Sequence, residues 1–363
     1  MLYQPPLPSP YPNLSETELL ARIHAARKSL GEEVVILTHH YQRPEVVPLG
    51  DAIGDSLKLA QFAASQTRAK YIVFCGVHFM AESADILKTG NQVVILPDLG
   101  AGCDMADMAD VDMVSKAWDD IVPVVGEENI IPVTYVNCTA ALKAFVGLKG
   151  GIVCTSTNAQ KIITWAFQQR KRIIFFPDQH LGRNTCYKMG IPLPEMRIWD
   201  PALVQGGLSK EDIVSTRVFL WKGHCPVHLQ FTSQQVDALR VKYPNIQIIV
   251  HPECDISVVE KSDFSGSTEY IVKMVSDSPA GTHWGVATEA NLVARLAKEN
   301  PDKTVESVNR FKCLCSTMNR IDLKHLSWTL DNIVAGTPQN IISVSEPTRS
   351  FAKQALLRML QMS

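Results

Sequence analysis

Eight consecutive residues, Trp221-Lys222-Gly223-His224-Cys225-Pro226-Val227-His228, follow the strand-like run 216–220. Gly223 and Pro226 stop the strand, which leaves Cys225 and His228 at the rim of its sheet, a thiol and an imidazole placed where they can ligate a metal. Two more cysteines sit in comparable settings: Cys103, after the two glycines of Gly100-Ala101-Gly102, and Cys315, in Cys313-Leu314-Cys315. Glycines let backbone approach a bulky group closely. These cysteines fall one in each third of the chain, so spacing carries no metal-binding signature and leaves metal binding open. Cys313 is an alternative to Cys315, and Cys186 is undecided. Cys75, Cys138, Cys154 and Cys254 lie in or just beyond apolar strands, where burial is the default.

Further polar pairs stand at strand ends. Side chains at i and i+2 of a strand point the same way, which pairs His39 with Tyr41, Tyr135 with Asn137, and His251 with Glu253. One such pair is an ordinary loop contact; three, each ending an apolar strand, point to a shared site. Hydroxyls cluster at helix starts, at Gly54-Asp55-Ser56, Thr155-Ser156-Thr157-Asn158 and Gly266-Ser267-Thr268. They act as helix N-caps, and capped N-termini facing one cavity would also receive carboxylate or phosphate oxygens.

The elements that must position these residues alternate along the chain. Ser15 and Glu18 form a capping box for a first helix, followed by the β-branched run 34–37. Apolar strands are predicted at 71–74, 93–96, 132–136, 152–154, 172–176, 217–220 and 246–250, with helices between most of them. This pattern indicates parallel sheets covered on both faces. The strand ends repeat in thirds, and Pro-Asp closes a strand twice, at Pro97-Asp98 and Pro177-Asp178. Three α/β units around one axis would bring their strand ends to a single polar cavity. A last helix over 350–362 carries an apolar face of Phe351, Ala355, Leu356 and Met359.

Composition bounds the function class. With 363 residues, 46% hydrophobic, 20% charged and net charge -2, the chain is an ordinary globular protein of about two or three domains. No clustered Lys and Arg mark a nucleic-acid surface. No apolar run reaches the ~18 residues of a membrane span, and the Pro-rich arm 1–10 lacks the regions of a signal peptide. A cytoplasmic location is expected, where structural disulfides are rare.

The motifs resemble the quinolinate synthase (NadA) family of iron-sulfur enzymes in NAD biosynthesis, from about Val34 to Leu323. They are His39-His40-Tyr41-Gln42, Gly54-Asp55-Ser56, Met80-Ala81-Glu82, Ala101-Gly102-Cys103, Tyr135-Val136-Asn137, Thr155-Ser156-Thr157-Asn158-Ala159, Gly223 to His228, His251-Pro252-Glu253-Cys254, Gly266-Ser267-Thr268 and Cys315-Ser316-Thr317-Met318. The resemblance implies an α/β fold of three similar three-layer α/β/α domains, with parallel sheets around a pseudo-threefold axis. We place their boundaries at 1–107 plus 327–363, 108–228 and 229–326. It also implies condensation of iminoaspartate with dihydroxyacetone phosphate to quinolinate, with loss of phosphate and two waters.

The same resemblance assigns Cys103, Cys225 and Cys315 to a [4Fe-4S] cluster whose fourth iron has no protein ligand and acts as a Lewis acid. It gives His39, Ser56, Tyr135, Asn137, Ser156, His228, His251, Glu253 and Thr268 to substrate binding. Tyr41 and Glu253, with His251 and Tyr135, form the catalytic set. An enzyme that makes iminoaspartate is the expected transient partner. This chain departs from the family pattern at His40, where Asn is common, and in having Cys313 beside Cys315; Met318, at the family spacing, favours Cys315. Two competing readings are a non-catalytic iron-sulfur sensor, for which no appended partner-binding segment is seen, and a zinc enzyme using Cys225 and His228.

Overall fold

The apolar runs form mostly parallel sheets in the computed structural model, which describes residues 3–362; residues 1 and 2 of the Pro-rich arm lie outside the described residues. The first sheet contains β1 (Val34–His39), β2 (Ala52–Gly54), β3 (Tyr71–Cys75) and β4 (Val93–Ile95). The second contains β5 (Ile130–Tyr135), β6 (Ile152–Cys154), β7 (Arg172–Phe176), β8 (Met196–Trp199) and β9 (Val218–Trp221). The third contains β10 (Gln247–Val250), β11 (Phe264–Ser265), β12 (His283–Ala287) and β13 (Thr304–Ser307). A two-residue strand, β14 (Ile341–Ile342), runs antiparallel along β4.

Strand order shows the repeat. The sheets read β14-β4-β3-β1-β2, β6-β5-β7-β9-β8 and β11-β10-β12-β13. In each, the first strand of the sheet lies between its second and third. The chain therefore crosses from one side of that strand to the other, the switch point beyond whose carboxyl end open α/β sheets bind ligands. Strands β1, β5 and β10 hold this place, and they lead into His39 and Tyr41, Tyr135 and Asn137, and His251 and Glu253.

The chain divides into two compact units, one running up to Cys103 and including Leu314–Ser345, the other comprising Asp104–Cys313 and the chain from Glu346 onward. The first helix, Glu16–Leu30, has the expected capping box at Ser15 and Glu18. The last helix, Thr348–Gln361, buries Ala352, Ala355, Leu356 and Met359. The sequence reading places it with the first domain, whereas it packs on helix Ala140–Leu148 of the second unit. Gly147 permits that contact, because a Cβ there would stand 2.0 Å from the Phe351 carbonyl oxygen. Gly147→Ala is expected to cost about 1–3 kcal/mol by overpacking, read as a lowered Tm; an unchanged Tm would mean that the helix is not held there.

Several strands have no simple apolar signal. In β12 the run His283-Trp284-Gly285-Val286-Ala287 is broken by a glycine, yet Trp284, Val286 and Ala287 are buried. Gly285 is there for packing: a Cβ would meet the Ile248 Cδ1 methyl at 2.6 Å. Strand β13 is an edge strand with no fully buried residue, so its sequence, Thr-Val-Glu-Ser, carries no core pattern.

Candidate active site

In the second unit, three strand ends converge on one buried carboxylate. After β10 the chain turns tightly, with the Cys254 N–H donating to the His251 carbonyl at 3.0 Å and the His251 N–H continuing the sheet to Ala287 at 3.1 Å. Asn184 clamps this turn, its Nδ2 donating to the carbonyls of Pro252 and Cys254, each at 2.8 Å. The turn presents Glu253, which is 3% exposed, to two histidines that are equally buried. Glu253 Oε2 lies 2.7 Å from His228 Nδ1, and Oε1 lies 3.9 Å from His251 Nδ1. The two imidazoles stack, with centroids 4.5 Å apart and planes inclined by 22°. Tyr135, from the end of β5, also hydrogen-bonds Glu253. On its far side, His228 Nε2 meets the Thr288 hydroxyl at 3.2 Å.

Burial alone would push the Glu253 carboxyl up; His251 and His228, together with the hydrogen bonds from His228 and Tyr135, more than offset it and hold it down at about 2. Burial lowers His251 to about 3, only partly opposed by Glu253. At neutral pH the group is therefore a carboxylate beside a neutral His251 imidazole, a proton acceptor screened from bulk water.

A second buried acid lies behind it. Asp178, fully buried, is pushed well above the usual carboxylate range by burial and by the nearby Glu253 charge. Its Oδ1 accepts the N–H groups of His180 and Leu181 at 2.6 and 2.9 Å. Asp178 also pairs with Gly223 in an isolated parallel bridge, and a Cβ on Gly223 would stand 2.2 Å from the Pro177 carbonyl oxygen. Gly223 thus lets the loop carrying Cys225 press against the Pro177-Asp178 turn.

These shifts predict acid sensitivity. Burial also lowers His180 to about 4. Both histidines have an ordinary value of 6.5, so between that pH and their folded values the unfolded chain binds more protons. Stability must then fall as pH drops through this window, by roughly 2 kcal/mol at pH 5 for His251 alone. Asp178 works in the opposite direction, because the folded chain holds its proton longer. His251→Asn is expected to flatten the fall in Tm between pH 7 and 5; an unchanged slope would show that His251 is not buried neutral.

Other predicted positions in this unit occupy loop and helix starts. Asn137 follows Tyr135 by two residues, and its buried Oδ1 has no hydrogen-bond partner. Ser156 is half-buried between β6 and helix Ala159–Gln169. The cap there is Asn158 without a side-chain bond into the helix; its Oδ1 instead accepts the Thr155 N–H at 2.7 Å. Thr268 is buried as the first residue of helix Thr268–Asp277, which Ser267 caps.

In the first unit, His39 ends β1 and is buried. Its Nδ1 accepts the Tyr41 N–H at 3.2 Å, and the two rings meet edge to face at 4.8 Å. Ser56 opens helix Ser56–Ser65, but the cap is Asp55, whose Oδ1 accepts from Lys58 N–H at 3.0 Å. A cap one residue earlier releases the Ser56 hydroxyl from that duty.

Cys103 and Cys315 both belong to the first unit, and Cys225 to the second. All three are half-buried, the other six cysteines are buried, and none of the nine is in a disulfide. Burial raises the thiols of Cys75 and Cys186 to about 12, and raises those of Cys154, Cys254 and Cys313 as well. The Cys103 and Cys315 segments are tied together within their unit by an ion pair that sequence reasoning missed. Asp98, 1% exposed, accepts from Arg320 Nε at 3.0 Å and has His325 Nε2 at 3.5 Å. The Pro-Asp repeat was the available signal: like Asp178, Asp98 accepts a backbone N–H two residues on, from Gly100 at 2.7 Å.

A sequence profile of the family described as Quinolinate synthetase A protein matches residues 21–361. A Listeria innocua protein named Quinolinate synthase is 52% identical over 361 residues, covering 99% of this chain and 98% of its own. Proteins of the same name from Bacillus cereus and Bacillus anthracis are 50% and 51% identical over 358 residues, covering 98% of this chain and 96% of theirs. The chain therefore belongs to the quinolinate synthetase A family.

Proposed function

We propose that the protein condenses iminoaspartate with dihydroxyacetone phosphate to give quinolinate, phosphate and two waters. The observation that carries this reading is the buried Glu253 carboxylate, held by Tyr135 and His228 beside a neutral His251. Closing an aromatic ring with loss of two waters requires repeated proton removal and return, and a desolvated carboxylate with imidazole and phenol neighbours can serve both directions. Glu253 takes protons from substrate carbon or nitrogen, and Tyr135 supplies or receives them through its hydrogen bond to Glu253. Tyr41, placed against His39, serves as a second proton donor. His39, Ser56, Asn137, Ser156, His228, His251 and Thr268 bind substrate oxygens; the Asn137 Oδ1, buried without a partner, is suited to a substrate N–H or O–H.

Cys103, Cys225 and Cys315 would hold a [4Fe-4S] cluster. The donor chemistry fits: three thiols that escape full burial, in a chain whose other cysteines are buried. When bound, the cluster supplies a Lewis-acidic iron that helps a substrate hydroxyl leave as water. The presence of three separate sheets supports the three-domain reading. Among the described residues no helix is long and apolar enough to cross a membrane, and cysteines without disulfides are consistent with the cytoplasm. An imine substrate hydrolyses in water, which favours direct transfer from the enzyme that produces it.

Iron and acid-labile sulfide on anaerobically purified protein test the cofactor. About four of each per chain is expected for a [4Fe-4S] centre; protein that cannot hold iron and sulfide after reconstitution would contradict it.

A further inference from the structure

We propose that the chain, when it carries no iron-sulfur cluster, binds one zinc ion through Cys225 Sγ, His228 Nδ1 and a Glu253 carboxylate oxygen. This adds a metal site to the reading above and shares with it the cluster thiol Cys225, the substrate-binding His228 and the proton acceptor Glu253. One ligand atom from each residue lies within 4.8 Å of the others. Ligands at zinc distances of about 2.0–2.3 Å around a tetrahedron stand roughly 3–4 Å apart, so small side-chain movements close the site. Thiolate, imidazole and carboxylate together suit zinc, whereas magnesium and calcium want oxygen alone and an iron-sulfur cluster wants thiolates.

The surroundings match a zinc-bound histidine. Such a ring nearly always has its other nitrogen held by a hydrogen-bonding group, and His228 Nε2 lies 3.2 Å from the buried Thr288 hydroxyl. A hydroxyl both donates and accepts. Thr288 can donate to Nε2 while Nδ1–H serves Glu253, then accept from Nε2–H once Nδ1 is bound to zinc. His228 and Glu253 are buried while Cys225 is half-exposed, so an ion reaches the site from the thiol side. The Asn184 clamp on the Pro252 and Cys254 carbonyls fixes the turn that presents Glu253. Zinc here would occupy the carboxylate proposed for catalysis as well as one cluster thiol, and cluster assembly and zinc uptake would exclude each other.

The test uses the full chain, stripped of iron by anaerobic chelation and kept reduced, and titrated with zinc or cobalt(II). One tightly bound zinc per chain is expected, and cobalt should give the visible absorption of a tetrahedral site with a thiolate charge-transfer band. His228→Ala and Glu253→Gln should each weaken zinc binding, and Thr288→Val should do so by about 10–100-fold through the ring it orients. Cys103→Ser should leave zinc affinity unchanged. The Tm of each metal-free variant checks that it folds. Zinc affinity unchanged from the parent in His228→Ala and Glu253→Gln, or loss of zinc in Cys103→Ser, would overturn the proposal. Cluster analysis of Cys103→Ser separates the two ideas: a retained cluster would defeat the cluster assignment and leave the zinc site standing.

Discussion

Glu253→Gln is expected to lower kcat for quinolinate formation by roughly two to four powers of ten, the usual worth of a positioned general acid-base, with a much smaller change in KM. Glutamine keeps the size of the side chain and can still hydrogen-bond His228 and Tyr135, but it cannot take a proton. At neutral pH Glu253 is ionised beside a neutral His251, so it begins each turnover as a proton acceptor. The loss should therefore appear in turnover. Steady-state kinetics on anaerobic protein decide the matter: a raised KM with unchanged kcat would make Glu253 a binding group only.

Cys225→Ser is expected to remove the cluster and with it all measurable activity, taking iron and sulfide from about four each per chain to background. Cys103→Ser and Cys315→Ser should behave alike, whereas Cys313→Ser should keep both cluster and turnover. Cys313 is buried with its thiol raised by burial, and its carbonyl accepts the Ala290 N–H at 3.0 Å. Cys315, half-buried, has its Sγ 3.4 Å from the Thr317 hydroxyl. The contrary result, a cluster lost in Cys313→Ser and kept in Cys315→Ser, would exchange their roles.

Part of this site was legible because its polar pairs stand just beyond apolar strands. Strand alternation is not what joins them, since β10 ends at Val250 and β1 at His39; the turn after β10 brings Glu253 within 3.9 Å of His251. The turn after β1 likewise sets Tyr41 edge to face on His39. Contacts between strand ends distant in sequence left no such trace. His228 ends the loop after β9 and Glu253 the turn after β10, and nothing in their spacing foretells a 2.7 Å contact. Asp98 and Asp178 were visible only as a repeated Pro-Asp pair; that each is buried and accepts a backbone N–H two residues on depends on the packing around it. Strand β12 was hidden because a glycine in a strand reads as a break, and only the neighbouring Ile248 side chain explains it.

Some local rules also pointed one residue away. Ser56 looked like a helix cap, but Asp55 takes that place, since a carboxylate satisfies the N-terminal donors and suits the helix dipole. The C-terminal helix showed its apolar face plainly in Ala355, Leu356 and Met359, yet amphipathicity names no partner. Its docking on helix Ala140–Leu148 depends on Gly147.

The most direct measurement is product formation: anaerobic protein with its iron and sulfide counted, supplied with dihydroxyacetone phosphate and freshly generated iminoaspartate, and assayed for quinolinate and phosphate. Equal amounts of quinolinate and phosphate, formed by the parent and absent with Cys225→Ser, are the predicted result. No quinolinate from protein that carries its full complement of iron and sulfide would contradict the account.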